Sequence, residues 1–429
     1  MTRTQKNILG HLVALVRSVR LNEPTTCEGY VHTFMERGSI SGMGRFGTKW
    51  WYTEKTHRLL TELSEMIARL DDQIEDSDKE AYAAIISDTL KQHAFNEKLF
   101  SPEKVFSNRP ETLFDARAVT DVDTFVRRLW ARICNNLNCS RGSWIVLYPL
   151  WRLETPSFQL VEDDLWLLNA SDFETWSRIA AGYNDASHWN PLLGQRDGEI
   201  FRREDPPSAW AIGRVRGIEY GARVSAERRL RQFIAVLYAI LREEKPNALV
   251  RSSARTIGYC IQFPAVSSRL GVRSIRSCIG DLCPRFLNNN FVTDDDIRTL
   301  ERWFSNLNRS HEEKEQRTRV AAIYTNYAFT ANSVMKYILY FITLDALYGQ
   351  RRNVEDSIIA GISGLQGTPA DINDRLSLLF DLRSELVHGG ASHLEDWKKR
   401  AKYVRKHGFT PEKDMEKIAL FSLVGYQLE

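Results

Sequence analysis

Arg383 and His388 stand five residues apart in the segment Leu382-Arg-Ser-Glu-Leu-Val-His-Gly-Gly390. Together they supply what phosphodiester cleavage needs: a fixed cation to stabilise charge on a phosphorane-like transition state, and a titrating group to move protons. Leu376, Leu379, Leu382 and Leu386 recur at helical spacing, and Gly389-Gly390 provides the residue type that ends helices. At about 100° per residue, Ser377, Asp381, Ser384 and His388 share a polar stripe, whereas Arg383 falls among Leu376, Leu379, Leu386 and Val387. A cation on that packing face is desolvated at some cost unless a carboxylate, a partner subunit or a phosphate meets it. His388 falls in the last turn, where the negative helix end favours a positively charged imidazole and suits acid–base work near neutral pH. The same residues admit a structural reading, with Arg383 an ion-paired packing residue partnered by Asp345 and His388 a helix C-cap. Spacing alone does not separate the two. Arg400 and His407 form a second such pair, within the Lys/Arg-rich stretch Lys398 to Lys406 that reads as a surface.

Other constellations carry less chemistry. Gly42, Gly44 and Gly47 match G-x-G-x-x-G, but no clear strand precedes them and Gly47-Thr48-Lys49 is not the order of a phosphate-binding loop, so a flexible loop is expected. Cys134/Cys139 and Cys278/Cys283 are two C-x4-C pairs whose spacing a structural zinc accepts; buried free thiols are the other reading. His93, His188 and His311 have no metal partners nearby in sequence, and neither H-E-x-x-H nor G-x-S-x-G occurs. No metal and no cofactor is called for. Between Lys245 and Arg276 there is no acidic residue, while Arg251, Arg255, Arg269, Arg273 and Arg276 supply positive charge with Tyr259 and Phe263 between them. Such a segment either tracks a phosphate backbone, with the aromatics offered to bases, or is a solvated surface.

The elements that must position these residues fall into three segments. Residues 1–140 read as mostly helical: Leu59, Leu60, Leu63, Ile67 and Leu70 keep helical spacing, as do Ala84, Ile85, Ile86 and Leu90. Val126, Leu129, Trp130, Ile133 and Leu137 continue the pattern behind Asp121 and Asp123, acids suited to a helix N-terminus. Residues 141–290 form a mixed α/β segment, with strands expected over Trp144–Tyr148 and Phe158–Leu168. Helices are expected from the capping-box spacing Ser171-Asp-Phe-Glu174 through Ile179, and over Glu227–Leu241. Residues 291–429 begin with the cap Thr293-Asp-Asp-Asp296 and read as helix upon helix, a C-terminal bundle. The fold class expected is α+β, mainly helical.

The 429 residues correspond to about three domains, or two if one is large. Hydrophobic residues at 43% and charged residues at 26% exclude collagen-like, disordered and disulfide-scaffold classes. With 58 Lys+Arg against 55 Asp+Glu the net charge is +3, which rules out a globally basic nucleic-acid coat protein but not local basic patches. Six scattered cysteines read as thiols in a reducing compartment. The apolar stretch Leu12–Val16 is too short for a signal peptide, and Tyr337–Leu344 is far below the ~20 residues needed to cross a bilayer. A cytoplasmic protein with no membrane partner is expected.

The words around Arg383 carry a family resemblance. Leu382-Arg-Ser-Glu-Leu-Val-His-Gly-Gly390, preceded by Leu344-Asp-Ala-Leu-Tyr-Gly349 a helical hairpin earlier, resembles the Apea-like branch of the HEPN superfamily. That branch shows an L-E-x-L helix followed by Y-x-x-R-S-x-x-V-H-G. The resemblance covers about the last third of the chain, from Thr293 to Glu429. HEPN domains are helical bundles that dimerise, and their active members are metal-independent ribonucleases built on R-x4-6-H. The resemblance therefore implies a homodimer in which Arg383 and His388 of both subunits share a composite cleft. The ribose 2′-OH would attack the adjacent phosphate, leaving a 2′,3′-cyclic phosphate and a 5′-OH; an apolar face around Arg383 would line that cleft.

Ser384 stands where many active members carry Asn, Asp or His, although serine is usual in this branch. Asp345 stands where the branch often has Glu, and Phe380 where it often has an aromatic. Asp345, Ser384 and Glu385 are the supporting positions, with Asp345 expected to position Arg383. Prokaryotic members of the branch are associated with anti-phage defence of the abortive-infection kind. In that setting the substrate is RNA, tRNA among the candidates. Residues 1–290 would sense infection or restrain the nuclease, a phage-derived trigger and an antitoxin are candidate partners, and Arg251, Arg255, Arg269, Arg273 and Arg276 would contact RNA. The reading from another class is a non-catalytic HEPN module that binds RNA, nucleotide or a partner protein.

Overall fold

Ile8, Leu12, Leu15 and Val16 line the inner face of a first helix, α1 (Arg3–Ser18), and every one of them is buried. The computed structural model describes residues 3–22, 32–40, 43–70, 79–96, 98–106, 110–160, 164–183, 186, 189, 207–244, 249–250, 259–265, 274–277 and 285–428. They make a mainly helical α+β protein that folds as two compact units.

The first unit comprises residues 1–144, 215–225 and 264–271. After α1 it contains the hairpin β1 (His32–Ile40) and β2 (Met43–Tyr52), then α2 (Glu54–Ala68), α3 (Lys79–Phe95), α4 (Pro102–Phe106) and α5 (Val122–Ser140). Thr53 caps α2 in a capping box with Thr56, and Asp121 caps α5 by accepting from Asp123 N and Thr124 N. Leu63, Tyr82, Phe100, Phe125, Leu129 and Ile133 close its core. The glycine-rich stretch is not a loop. Gly44 and Gly47 lie within β2, antiparallel to β1, with Gly47 opposite Arg37; Gly42 lies outside the described residues. The aromatic residues Phe46, Trp50, Trp51 and Tyr52 outweigh the glycines in strand preference.

The second unit comprises residues 145–214, 226–263 and 272–429. Following α5, the chain continues with β3 (Arg141–Leu150), β4 (Leu153–Glu154), β5 (Phe158–Leu160), β6 (Leu165–Asn169), α6 (Phe173–Ala180), β7 (Ala209–Ile218) and α7 (Glu219–Glu244), with β3, β7 and α7 each divided between the units. It goes on with β8 (Leu249–Val250), β9 (Tyr259–Pro264), β10 (Ser274–Ser277), β11 (Arg285–Phe286) and β12 (Asn290–Phe291). Six strands form one sheet in the order β10-β9-β3-β7-β6-β5. Trp176, Trp189, Trp210 and Phe263 pack on one another, with Trp189 5.0 Å from Trp210 and 5.9 Å from Phe263. The N-cap of α6 is Asp172, not Ser171: the Asp172 carboxylate accepts from Thr175 N at 3.0 Å, while the Ser171 hydroxyl donates to Asn169 at 2.6 Å. Helix α7 runs longer than the apolar core of its pattern, because helix-forming Glu and Arg residues extend it at both ends.

From Thr293 the chain is helical throughout: α8 (Asp294–Arg309), α9 (Glu312–Thr330), α10 (Ser333–Tyr348), α11 (Val354–Ser363), α12 (Ile372–His388), a 3-10 turn at Leu394–Asp396, α13 (Arg400–His407) and α14 (Pro411–Leu428). Thr293 caps α8 in a capping box with Asp296. Helix α10 packs against α9 and α14, and α11 against α12. Trp303 Nε1 donates to the Leu423 carbonyl at 2.9 Å, tying α8 to α14. Phe233 of α7 meets Phe304 of α8 at 6.3 Å, and Tyr238 meets Phe329 at 5.8 Å, so α7 is the element on which these helices rest. Among the described residues no helix is long and apolar enough to cross a membrane.

Candidate active site

Helix α12 carries Arg383 and His388. Its buried residues are Ile372, Leu376, Leu379 and Leu382, one per turn or so, and they hold it against the bundle. Two aromatic residues of α10 fix it: Tyr337 donates to the Leu379 carbonyl at 2.8 Å, and Phe341 meets Phe380 edge-on at 5.0 Å. The helix stops at Gly389, whose φ of +80° is left-handed. The Glu385 carbonyl there accepts from the N–H groups of Gly389, Gly390 and Ala391. A Cβ on Gly389 would meet no atom within 4 Å, so backbone conformation alone asks for glycine.

Most charged side chains of α12 are committed. Arg375 donates to Asp371 at 2.9 Å and to Asp414 at 3.2 Å. Asp371 also meets His407 Nδ1 at 2.9 Å, Asp374 accepts from Lys406 at 2.7 Å, and Asp381 accepts from Trp397 at 3.1 Å and Lys399 at 2.9 Å. Hydrogen bonding from Arg375 is the largest influence on Asp371, and with His407 it outweighs burial and lowers the carboxyl pKa. The side chains of Arg383, Ser384, Glu385 and His388 behave differently: among the described residues they enter no hydrogen bond and no ion pair. Arg383, Ser384 and His388 are exposed and Glu385 is half-buried. The chain thus presents a spare guanidinium and a spare imidazole at one end of a well-anchored helix.

Three expectations change. Arg383 is not desolvated on a packing face. The apolar arc of α12 is packed only as far as Leu382; beyond it Leu386 is half-buried and Val387 is 51% exposed, so this end of the helix runs past its covering neighbours. Asp345 does not pair with Arg383. It is exposed in the last turn of α10, where its carboxylate lies so close over Gly349 that a Cβ there would overlap it. Arg317 caps that end instead, donating to the carbonyls of Ala346 at 2.8 Å, Asp345 at 3.3 Å and Gly349 at 2.7 Å. His388 does not cap α12 either, since Gly389 does.

The basic stretch around the second Arg/His pair is the surface expected, with Lys398, Lys399, Lys402, Arg405 and Lys406 exposed, but His407 just past it is buried. Tyr403 and His407 recur one helical turn apart in α13 and both turn inward, with ring centroids 4.7 Å apart, while Lys402, Arg405 and Lys406 face out or to the rim. His407 Nε2 is buried without a hydrogen-bond partner, and Arg400 lies 3.5 Å from Glu412. Tyr403 donates to Asp414 at 2.5 Å, and burial, then that bond, raises its phenol pKa beyond the ordinary range. The aromatic spacing Trp397, Tyr403, His407 inside the basic run was the signal for this inward face.

The remaining candidates do not join α12. Arg251, Arg255, Arg269 and Arg273 lie outside the described residues; the backbone of Arg276 sits in β10 opposite Cys260. Cys134 and Cys139 are half-buried and in no disulfide, Cys134 with its pKa raised mainly by burial. Cys278, Cys283 and His188 lie outside the described residues. His311 is the N-cap of α9, accepting from Lys314 N at 3.1 Å, and His93 accepts from Arg132. Among the described residues no group of three or more His, Cys, Asp or Glu is placed to hold a metal. No protein-family model, curated protein or solved structure matches the chain.

Proposed function

We propose that this chain is a metal-independent endoribonuclease of the HEPN type, acting in the cytoplasm in anti-phage defence, with Arg383 and His388 as its catalytic pair. The observation that carries the reading is selective commitment. Asp371 at the N-cap of α12 and Asp374, Arg375 and Asp381 within it are tied into internal pairs, while Arg383, Ser384, Glu385 and His388 at its end enter none among the described residues. An unpaired guanidinium and imidazole on an anchored helix are free to meet a substrate phosphate.

Helix geometry adds a requirement. Five residues along a helix turn about 140° and climb about 7.5 Å, so Arg383 and His388 of one chain do not aim at one point. A second copy, docked through the open arc around Val387, would bring Arg383 of one subunit towards His388 of the other and form a composite site. In that site the guanidinium would meet a phosphate oxygen and stabilise charge in the transition state. One imidazole would take the 2′-OH proton as the oxygen attacks phosphorus, and a second would protonate the departing 5′ oxygen. The products are a 2′,3′-cyclic phosphate and a 5′-OH.

The alternative is a HEPN module that binds RNA without cutting it, and the exposure of both residues suits that role as well. Expression in a bacterial host separates the two. Growth arrest by the wild type, relieved by His388→Ala with the protein level unchanged, supports cleavage. Arrest that persists in His388→Ala would refute it.

A further inference from the structure

Helices α3 and α5 of the first unit meet along a polar seam. Asn136 Nδ2 donates to Thr89 Oγ1 at 2.9 Å, and one turn earlier in α5 Arg132 donates through Nη1 to His93 Nδ1. Arg132 and His93 are half-buried; Arg128, one further turn along α5, and Lys98, just beyond α3, are exposed. A half-buried guanidinium usually meets a carboxylate, because its charge is poorly hydrated there. Here the partner is a ring nitrogen. Asp88, the acid of α3 nearest in sequence, pairs with Lys91 at 3.0 Å, and Asp121 is spent on capping α5. Among the described residues no carboxylate pairs with Arg128, Arg132 or Lys98.

We propose that Arg128, Arg132, Lys98 and His93 form a binding site for a phosphate group. The two arginines are one helical turn apart, about 6 Å between their Cβ atoms, so their guanidinium forks can converge on one phosphate. Lys98 adds a third cation from the α3 side. Electrostatics agree with the geometry: burial, then the Arg132 and Lys98 charges, hold His93 down at about 4, so at neutral pH the ring is uncharged and accepts from Arg132. Burial, then Arg128, also lowers the pKa of Arg132. An anion seated among these groups would relieve all three cations and let His93 become a donor. The site lies in the first unit and uses neither Arg383 nor His388, so it stands apart from the ribonuclease reading.

The test uses the full chain at low salt. Inorganic phosphate is titrated while the His93 ring resonance is followed by NMR, assigned with His93→Gln. Saturating phosphate is expected to move the His93 midpoint from about 4 towards the ordinary histidine range. Arg128→Gln, an exposed change, and Arg132→Gln are each expected to weaken phosphate binding by roughly tenfold. A single-stranded RNA oligomer and a mononucleotide identify the source of the phosphate. If it is an RNA backbone, Arg132→Gln lowers the salt slope of oligomer binding by about 0.7, while a nucleotide site leaves that slope unchanged. The proposal is overturned if phosphate leaves the His93 titration unmoved, or if both glutamine variants bind as the wild type does.

Discussion

The Tyr337 hydroxyl donates at 2.8 Å to the backbone carbonyl of Leu379, which is the carbonyl that the α-helix pairs with the N–H of Arg383. A buried phenol of α10 is thereby fixed to the turn from which the proposed catalytic arginine projects. Burial, then the charges of Tyr403, Glu412, Asp414 and Asp381, push its pKa well above the ordinary value, so it remains a donor across the working pH range. Anchoring is local to the packed side of α12, and the open side is left to Arg383 and His388.

Tyr337→Phe removes one buried hydrogen bond but keeps the ring. The helical N–H still serves the Leu379 carbonyl, so the loss is about 1 kcal/mol, a drop of roughly 2–4 °C in the thermal midpoint. RNA cleavage should change only a few-fold, since the helix keeps its packing. A thermal melt beside a cleavage time course checks both, and loss of all cleavage without a stability change would contradict an anchoring role.

Gly389 adopts a left-handed conformation with open space around its Cα. Gly389→Ala should cost about 1 kcal/mol from backbone strain, and Gly389→Asn less, because asparagine tolerates that region better. Equal losses in the two variants, read by urea midpoints, would mean that conformation is not the reason for glycine.

Glu416 lies almost buried, with Arg242 2.5 Å, Lys336 2.8 Å and Tyr340 2.7 Å from its Oε1. Burial alone would raise its pKa, but Arg242 and then Lys336 outweigh it and hold the carboxyl at about 2, against an ordinary 4.5. The folded-state value is depressed, so this stabilisation is fully present above about pH 4.5 and is lost as pH falls towards about 2. Glu416→Gln should be less stable at neutral pH by roughly 3 kcal/mol, since it leaves Arg242 buried without its carboxylate. Its stability should also fall less than that of the wild type between those two pH values. Urea midpoints of both proteins across that range measure the difference.

Val387, 51% exposed beside Arg383, marks the arc through which a second copy is proposed to dock. Val387→Glu should shift a homodimer to monomer in light scattering and abolish cleavage, leaving the fold intact because the position is not packed. A variant that stays dimeric would place the interface elsewhere.

Local words in the sequence were the legible part. Asp121 and Thr293 cap the helices they were expected to cap, α12 ends at the expected glycine, and the aromatic and branched runs became strands. Features set by distant residues were not legible. Periodicity shows which arc of α12 is apolar but not how far along its axis the neighbours reach, so Arg383 read as buried when it is exposed. The partners of Arg375 and His407 come from α14 and from the start of α12, far away in sequence. In α13 the charge of a basic run masked its inward pair, Tyr403 and His407. The Ser171/Asp172 shift is smaller in kind: both can cap, and Asn169 claims the serine hydroxyl.

If Arg383 and His388 cleave RNA as proposed, the chemistry of the product ends reveals it. Purified full-length protein is incubated with total RNA in EDTA, beside Arg383→Ala and His388→Ala. The wild type should cut the RNA to 2′,3′-cyclic phosphate and 5′-OH ends, and each variant should be slower by about a hundredfold or more. Cleavage that survives in either variant, or no cleavage by the wild type even with infected-cell extract supplied as a trigger, would contradict it.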